Sequence, residues 1–267
     1  MIITIGNYKG GVGKSTTSKL FAYLLSEQYN KKVLVIDTDP QANLTESLAL
    51  TFNTKLDKDK NLFNAIFEEG KTKDKVQSLS QNLDILSGSW SMINFEAEVR
   101  RIFYADKISY VLESIVSQVK DQYDFIIIDT APTTNLVMEN ILMFTDYVLI
   151  TTQTVPLAYD STLKYYDYLL DFYMSDETHF SLLGILPYLV SKSATDKSIL
   201  NKYEEVFEDE LFKAQVRSSD RVKTWSRNGI TTDQPYDKVT LDMYDEVLKE
   251  ALERLERKIN YEEKKNV

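Results

Sequence analysis

Residues 6–17 read Gly-Asn-Tyr-Lys-Gly-Gly-Val-Gly-Lys-Ser-Thr-Thr and follow directly on the apolar run Ile2-Ile3-Thr4-Ile5. A strand, a glycine-rich loop ending in Lys-Ser and a helix together form the arrangement that cradles nucleotide phosphates. Gly10, Gly11 and Gly13, with Val12 among them, allow backbone conformations that aim successive N–H groups at phosphate oxygens. Lys14 supplies a point charge to the β- and γ-phosphates and Ser15 offers a hydroxyl to Mg²⁺, while the start of the helix adds its dipole. The general pattern G-x-x-x-x-G-K-[ST] fails at its first glycine, where Tyr8 stands. A second lysine, Lys9, heads the loop, so cations stand at both of its ends.

Apolar runs alternate with helical patterns along the rest of the chain. Strands are expected at 2–6, 32–36, 83–86, 125–129, 147–151, 182–188 and roughly 213–216. Several of these runs are unbroken, as parallel strands covered on both faces require. Helical spacing marks 17–28, 109–119 and 161–172. The expected fold is α/β, a doubly wound and mostly parallel sheet flanked by helices, with ligands at the carboxyl ends of the strands. A single domain over residues 1–267 is the simplest division, since no Pro/Gly/Ser-rich linker or repeat interrupts it. The polar stretches 53–75 and 191–210 read as surface excursions. Leu241, Tyr244, Leu248, Leu252, Leu255 and Ile259 recur at spacings of three and four, so an amphipathic helix at about 241–260 should dock on the core.

Two acidic segments stand where such a sheet presents its ligands. Val33-Leu34-Val35-Ile36-Asp37-Thr38-Asp39-Pro40-Gln41-Ala42-Asn43 releases two carboxylates from the end of a strand. They can hold metal-bound water or orient a water for in-line attack, or they can cap the turn and helix at Pro40. Phe125-Ile126-Ile127-Ile128-Asp129 places an acid after a buried strand, the position from which a carboxylate contacts the Mg²⁺ shell.

The three elements in order resemble one family. Lys9-Gly10-Gly11-Val12-Gly13-Lys14-Ser15-Thr16 is similar to the deviant Walker A loop of the ParA/MinD ATPases, whose partition members often lack the leading glycine. Asp37-Thr38-Asp39-Pro40-Gln41-Ala42-Asn43 resembles the family's D-x-D-P-Q-x-N segment, and Ile128-Asp129-Thr130-Ala131-Pro132 its I-D-x-x-P. Looser similarity at Asp146–Ile150, Gln153, Ala158, Gly184-Ile185-Leu186 and Arg217 follows plasmid and chromosome partition ATPases. The resemblance implies an Mg²⁺-dependent ATPase in which Lys14 binds phosphate, Ser15 ligates Mg²⁺ and Thr16 assists at the α-phosphate. It implies that Lys9 reaches the ATP of a second copy, that Asp39 positions the hydrolytic water, and that Asp37 and Asp129 stand behind the waters of the metal. Its further implications are a homodimer formed on ATP binding, nonspecific double-stranded DNA as ligand and a ParB-like centromere-binding protein as partner.

Charge and composition bear on which branch this is. The net charge of −10 argues against a surface made for nucleic acid throughout. Lys213, Arg217, Arg221, Lys223 and Arg227 nevertheless stand against the single acid Asp220, and Lys192, Lys197 and Lys202 could extend the patch. Arg217, Arg221, Lys223 and Arg227 are the candidate DNA contacts. A solvated face balancing nearby acids is the alternative, and Arg217 could instead serve the fold or the nucleotide. The absence of cysteine excludes thiolate metal sites and the iron–sulfur relatives. No run spans a bilayer, and the loop starts too close to Met1 for a signal peptide or a preceding helix-turn-helix, so a cytoplasmic protein is expected, and the resemblance implies that it is nucleoid-associated when ATP-bound. The tail from Tyr261 to Val267 is mixed in charge, unlike a MinD-type lipid anchor. His179, beside Glu177, reads as exposed. A MinD-like membrane-associated regulator and a metabolic P-loop ATP-dependent enzyme remain the alternative functions.

Overall fold

An eight-stranded sheet organises the described residues, 1–175 and 178–265, of this computed structural model. Glu177 and Val267, named above, lie outside them. The strands are β1 Ile2–Gly6, β2 Val33–Asp37, β3 Gln77–Ser78, β4 Leu83–Leu86, β5 Phe125–Asp129, β6 Tyr147–Gln153, β7 Ser181–Val190 and β8 Val216–Arg217. Their spatial order is β3-β4-β2-β5-β1-β6-β7-β8, with only β3 antiparallel to its neighbour. β1, β2 and β5 are buried from end to end, which is why their sequences are apolar without alternation.

Side chains alternate between two covered faces. Val33, Val35, Phe125 and Ile127 pack with Leu20, Phe21, Tyr244 and Leu248, so the helices Lys14–Tyr23 and Pro235–Lys265 lie on one side. Leu34, Ile36, Ile126 and Ile128 pack with Phe95, Val99, Leu112 and Ile141 on the other. Further along that second face, Val148, Ile150 and Ile185 meet Tyr165 and Tyr203 from the helices Pro156–Ser175 and Ala194–Phe207.

The expected strands form with shifted ends. β2 starts at Val33, β6 and β7 run longer, and β8 is the pair Val216–Arg217, not 213–216. The first helix begins at Lys14 and closes in a π turn, Leu24–Gln28. The segment at 109–119 splits into a 3₁₀ turn, Ile108–Tyr110, and the short helix Val111–Val116. The two polar stretches lie mostly at the surface, as expected, and are partly helical. Residues 53–75 contain the helices Leu62–Phe67 and Thr72–Lys75, and 191–210 is mostly the helix Ala194–Phe207. That last helix inserts Ile199, Tyr203 and Phe207 into the core at spacings of four, which suffices to anchor an otherwise polar segment. The terminal helix docks as expected but runs Pro235–Lys265, with Leu241, Tyr244, Leu248 and Leu255 buried. Among the described residues, no helix is long and apolar enough to cross a membrane.

Candidate active site

β2, β5 and β1 are neighbours in the sheet, so their carboxyl ends deliver all three motifs to one place. Asp37 and Asp129 are direct register partners, and Asp129 also faces Ile5 of β1. Thr38 donates its backbone and side-chain hydrogens to the Asp129 carbonyl at 3.1 and 2.7 Å, stitching the two strand ends together.

The glycine-rich loop is held from below by a buried asparagine. Asn7 donates its amide to the Thr151 carbonyl at 2.8 Å and to the Thr162 hydroxyl at 3.0 Å. Its oxygen accepts from the Lys9 N–H at 3.0 Å. Gln153 donates to the Gly11 carbonyl at 3.0 Å, so β6 clamps the loop's middle. Gly11 and Gly13 adopt φ of 78° and 95°. A Cβ on Gly13 would lie 2.5 Å from the Tyr188 ring, so glycine is required there twice over. Tyr8 occupies the position of the missing glycine by packing its ring against Tyr165 and Tyr168, at centroid distances of 4.8 and 5.7 Å. Burial in that aromatic layer pushes the Tyr8 hydroxyl up to about 12.

Lys14 and Lys9 are disposed differently. Lys14 is buried and donates to the Lys9 carbonyl at 3.1 Å, which folds its ammonium into the loop. Burial lowers its pKa, and the charges of Asp129 and Asp39 act against that shift. Lys9 is half-buried at the head of the same loop.

The two strand-end carboxylates are buried completely. Asp129 accepts from the Ser18 hydroxyl at 3.0 Å through one oxygen, while its other oxygen is buried without a hydrogen bond. Burial and then the charge of Asp37 raise its pKa, with Ser15, Ser18 and Lys14 pulling the other way. Asp37 accepts from the Thr45 N–H at 2.9 Å and the Thr45 hydroxyl at 2.7 Å. Burial raises its pKa too, against these bonds. The helix Asn43–Thr51 has a left-handed Ala42 at its cap position and no local side-chain cap, so Asp37 supplies that cap from the strand. Asp39 is half-buried and accepts from the Gln41 N–H at 2.9 Å, leaving it nearer the surface than Asp37. Gly88 lets the next loop approach: a Cβ there would stand 2.9 Å from the Asp37 carboxyl carbon.

An unpartnered carboxylate oxygen beside a second buried carboxylate, with the Ser15 hydroxyl near, suits a hard divalent cation. Among the described residues, no group of three or more His, Cys, Asp or Glu forms a metal cage. The arrangement therefore fits Mg²⁺, which commonly takes few protein ligands and completes its shell with phosphate and water.

The basic residues sit elsewhere, beyond β7. Arg217 ends β8 and is exposed, and Lys223 and Arg227 stand one turn apart on the exposed side of the helix Asp220–Asn228. Lys223 pairs with Asp220 at 3.2 Å. Arg221 turns inward onto the fully buried Asp237, which also accepts from Thr231 at 2.9 Å and the Gln234 N–H at 3.0 Å. Of the four candidate contacts, Arg221 is thus committed to the fold. A cavity of about 470 Å³, lined by Arg217, Ser219, Arg221, Thr224, Tyr236 and Val239, opens there, with Lys223 and Arg227 outside its lining. Asn7, Gly88 and Tyr188 carry the site's geometry without a sequence signal, because the groups they meet are distant in the chain, whereas Thr45 meets Asp37 only eight positions away, as the capping alternative at Pro40 allows.

The AAA domain family model matches residues 1–179. The sporulation initiation inhibitor protein Soj of Bacillus subtilis is 27% identical over 231 residues, 85% of this chain and 88% of that protein. An uncharacterised protein of Methanocaldococcus jannaschii is 33% identical over 155 residues, and the match spans 56% of this chain and 58% of that protein. Among solved structures, apo McdA of Cyanothece superposes with a TM-score of 0.81 at 23% identity, covering 94% of this chain and 98% of that one. A putative plasmid partition protein of Borrelia burgdorferi bound to AMPPNP gives 0.77 at 24% identity, covering 95% and 98%. Cobyrinic acid a,c-diamide synthase of Mycobacterium smegmatis, with bound ADP and magnesium, gives 0.72 at 21% identity, covering 84% and 90%. Likeness at these identities establishes the fold alone.

Proposed function

The chain belongs to the AAA domain family as a ParA-type P-loop ATPase, and from that membership we propose that it is an ATP-driven DNA partition switch. ATP closes two copies into a sandwich dimer, the dimer holds duplex DNA without reading its sequence, and a ParB-like partner stimulates hydrolysis and release. The supporting observation is the pair of lysines on one loop. Lys14 is folded inward toward Asp129 and Asp39, while Lys9 stands half-buried at the loop's head.

The roles follow from position. The N–H groups from Gly10 to Thr16 and the Lys14 ammonium bind the phosphates, and Thr16 assists at the α-phosphate. Asp39 orients the attacking water, being the acid nearest the surface. Bound Mg²⁺ supplies charge neutralisation at the β- and γ-phosphates; Ser15 would ligate it, and Asp37 and Asp129 would hold its waters. Lys9 of one copy completes the other's site, so a lone subunit hydrolyses slowly. Arg217, Lys223 and Arg227 hold DNA phosphates. The whole chain, 1–267, acts as one ATPase domain in the cytoplasm, on the nucleoid when ATP is bound. Against the membrane-regulator reading, Tyr244, Val247, Leu248 and Leu255 of the terminal helix are buried in the core and are not available to lipid.

Duplex retention measured with ATP, ADP and no nucleotide across a salt series tests the switch. ATP should raise affinity, and Lys9→Ala should keep ATP binding yet lose both the ATP-dependent dimer in light scattering and the DNA. A normal dimer from Lys9→Ala would remove the trans role, and duplex binding indifferent to nucleotide would remove the switch.

A further inference from the structure

Lys19 has no part in the chemistry described so far. It lies one helical turn beyond Ser15 on the helix Lys14–Tyr23 and is only 3% exposed. Its ammonium donates to the Ser47 hydroxyl at 2.8 Å and to the Trp225 backbone carbonyl at 3.3 Å, both neutral acceptors. Burial alone drives its pKa down to about 8. An ammonium kept out of water without a carboxylate is unfavourable beside an apolar side chain of the same length. Stability therefore does not account for it.

What it joins does. The first helix carries Lys14 and Ser15; the second, Asn43–Thr51, has its first turn held by Asp37; the third, Asp220–Asn228, displays Lys223 and Arg227. The Trp225 carbonyl also accepts from the Gly229 N–H at 3.1 Å, so Lys19 bonds at the closing turn of the basic helix. The Trp225 ring nitrogen donates to Thr231 at 3.1 Å, and Thr231 donates to Asp237, the partner of Arg221. Alongside, the Ile230 N–H bonds the Thr51 hydroxyl at 3.0 Å, and Gly229 lies so close to Thr51 that a Cβ would meet its backbone at 2.6 Å. The second and third helices are thus fastened to each other, and Lys19 is the polar tie from both to the phosphate-binding helix.

We propose that Lys19 is a positioning residue that transmits the state of the nucleotide site to the basic helix, so that ATP binding sets the presentation of Lys223 and Arg227. The proposal rests on the DNA-switch reading above. Lys19→Met keeps the length and removes the charge, and it should melt no lower than the parent.

The test measures duplex affinity with and without a non-hydrolysable ATP analogue for the parent, Lys19→Met, Ser47→Ala and the double variant, alongside ATP affinity and Tm. The parent should show a gain of about tenfold or more, Lys19→Met at most about twofold, with ATP affinity and Tm retained. Ser47→Ala should fall between them and add nothing to Lys19→Met. If Lys19→Met keeps the parent's gain, the coupling role is wrong while the switch stands. If it loses ATP binding or melts much lower, Lys19 serves the site or the fold, and the proposal is overturned. If the parent shows no gain, the switch reading falls and the proposal falls with it.

Discussion

An alanine at position 13 would set its methyl 2.5 Å from the Tyr188 ring at a φ of 95° that side chains rarely adopt. The ring comes from β7 and is itself buried, so it cannot step aside cheaply. At Gly10 a Cβ would meet nothing within 4 Å. Gly13→Ala is therefore expected to weaken ATP binding at least about a hundredfold, which is about 3 kcal/mol of strain and displacement, whereas Gly10→Ala should stay within about tenfold. Titration with a fluorescent nucleotide separates the two, and equal losses would show that loop flexibility, not the Tyr188 contact, governs the site. This contrast marks the limit of what the residues alone reveal. Lys14, Asp37, Asp39 and Asp129 are legible because spacing after a strand fixes where they emerge. Asn7 and Tyr188 are silent, since their roles exist only when β6 and β7 arrive from more than 140 positions away.

Elements join through a few buried polar groups, and Asp237 is the plainest case. It sits in the first turn of Pro235–Lys265 and receives Arg221 from the preceding helix. Burial would raise its pKa, but the Arg221 guanidinium, the Gln234 N–H and the Thr231 hydroxyl overcome this and hold it below the usual carboxylate range. A depressed folded pKa means stability that is present above about pH 4 and lost as pH falls through the folded value. Asp237→Asn should lower Tm by roughly 5 °C at neutral pH and flatten the acid limb of the Tm–pH curve, as calorimetry can show. An unchanged acid limb would assign that limb to other carboxylates. The same scale shows why some elements escape sequence reading. The helix Ala194–Phe207 looks like a polar excursion because three inward residues carry it, and β3 is two polar residues added to an edge. The central strands, buried on both faces, leave no such ambiguity.

The whole molecule carries −10, so any duplex it holds meets a local basic surface within a repulsive field. With Arg217, Lys223 and Arg227 from each copy engaging one phosphate apiece, a dimer would show a log–log salt slope of about −5. Replacing any one by alanine should reduce that slope by about 2 and weaken binding alike on unrelated sequences, measured by fluorescence anisotropy. Arg221→Ala should instead lower Tm, because its charge is spent on Asp237. A slope unmoved by all three would place the DNA elsewhere. The strand order has a consequence for how such a chain can change over time. The strands that deliver the motifs, β2, β5 and β1, lie together in the middle, and the family match ends at residue 179, before β7 begins. Change can therefore fall on β8 and the basic helix without touching the three central strands, whereas β7 stays tied to the centre through the Tyr188 ring packed on Gly13.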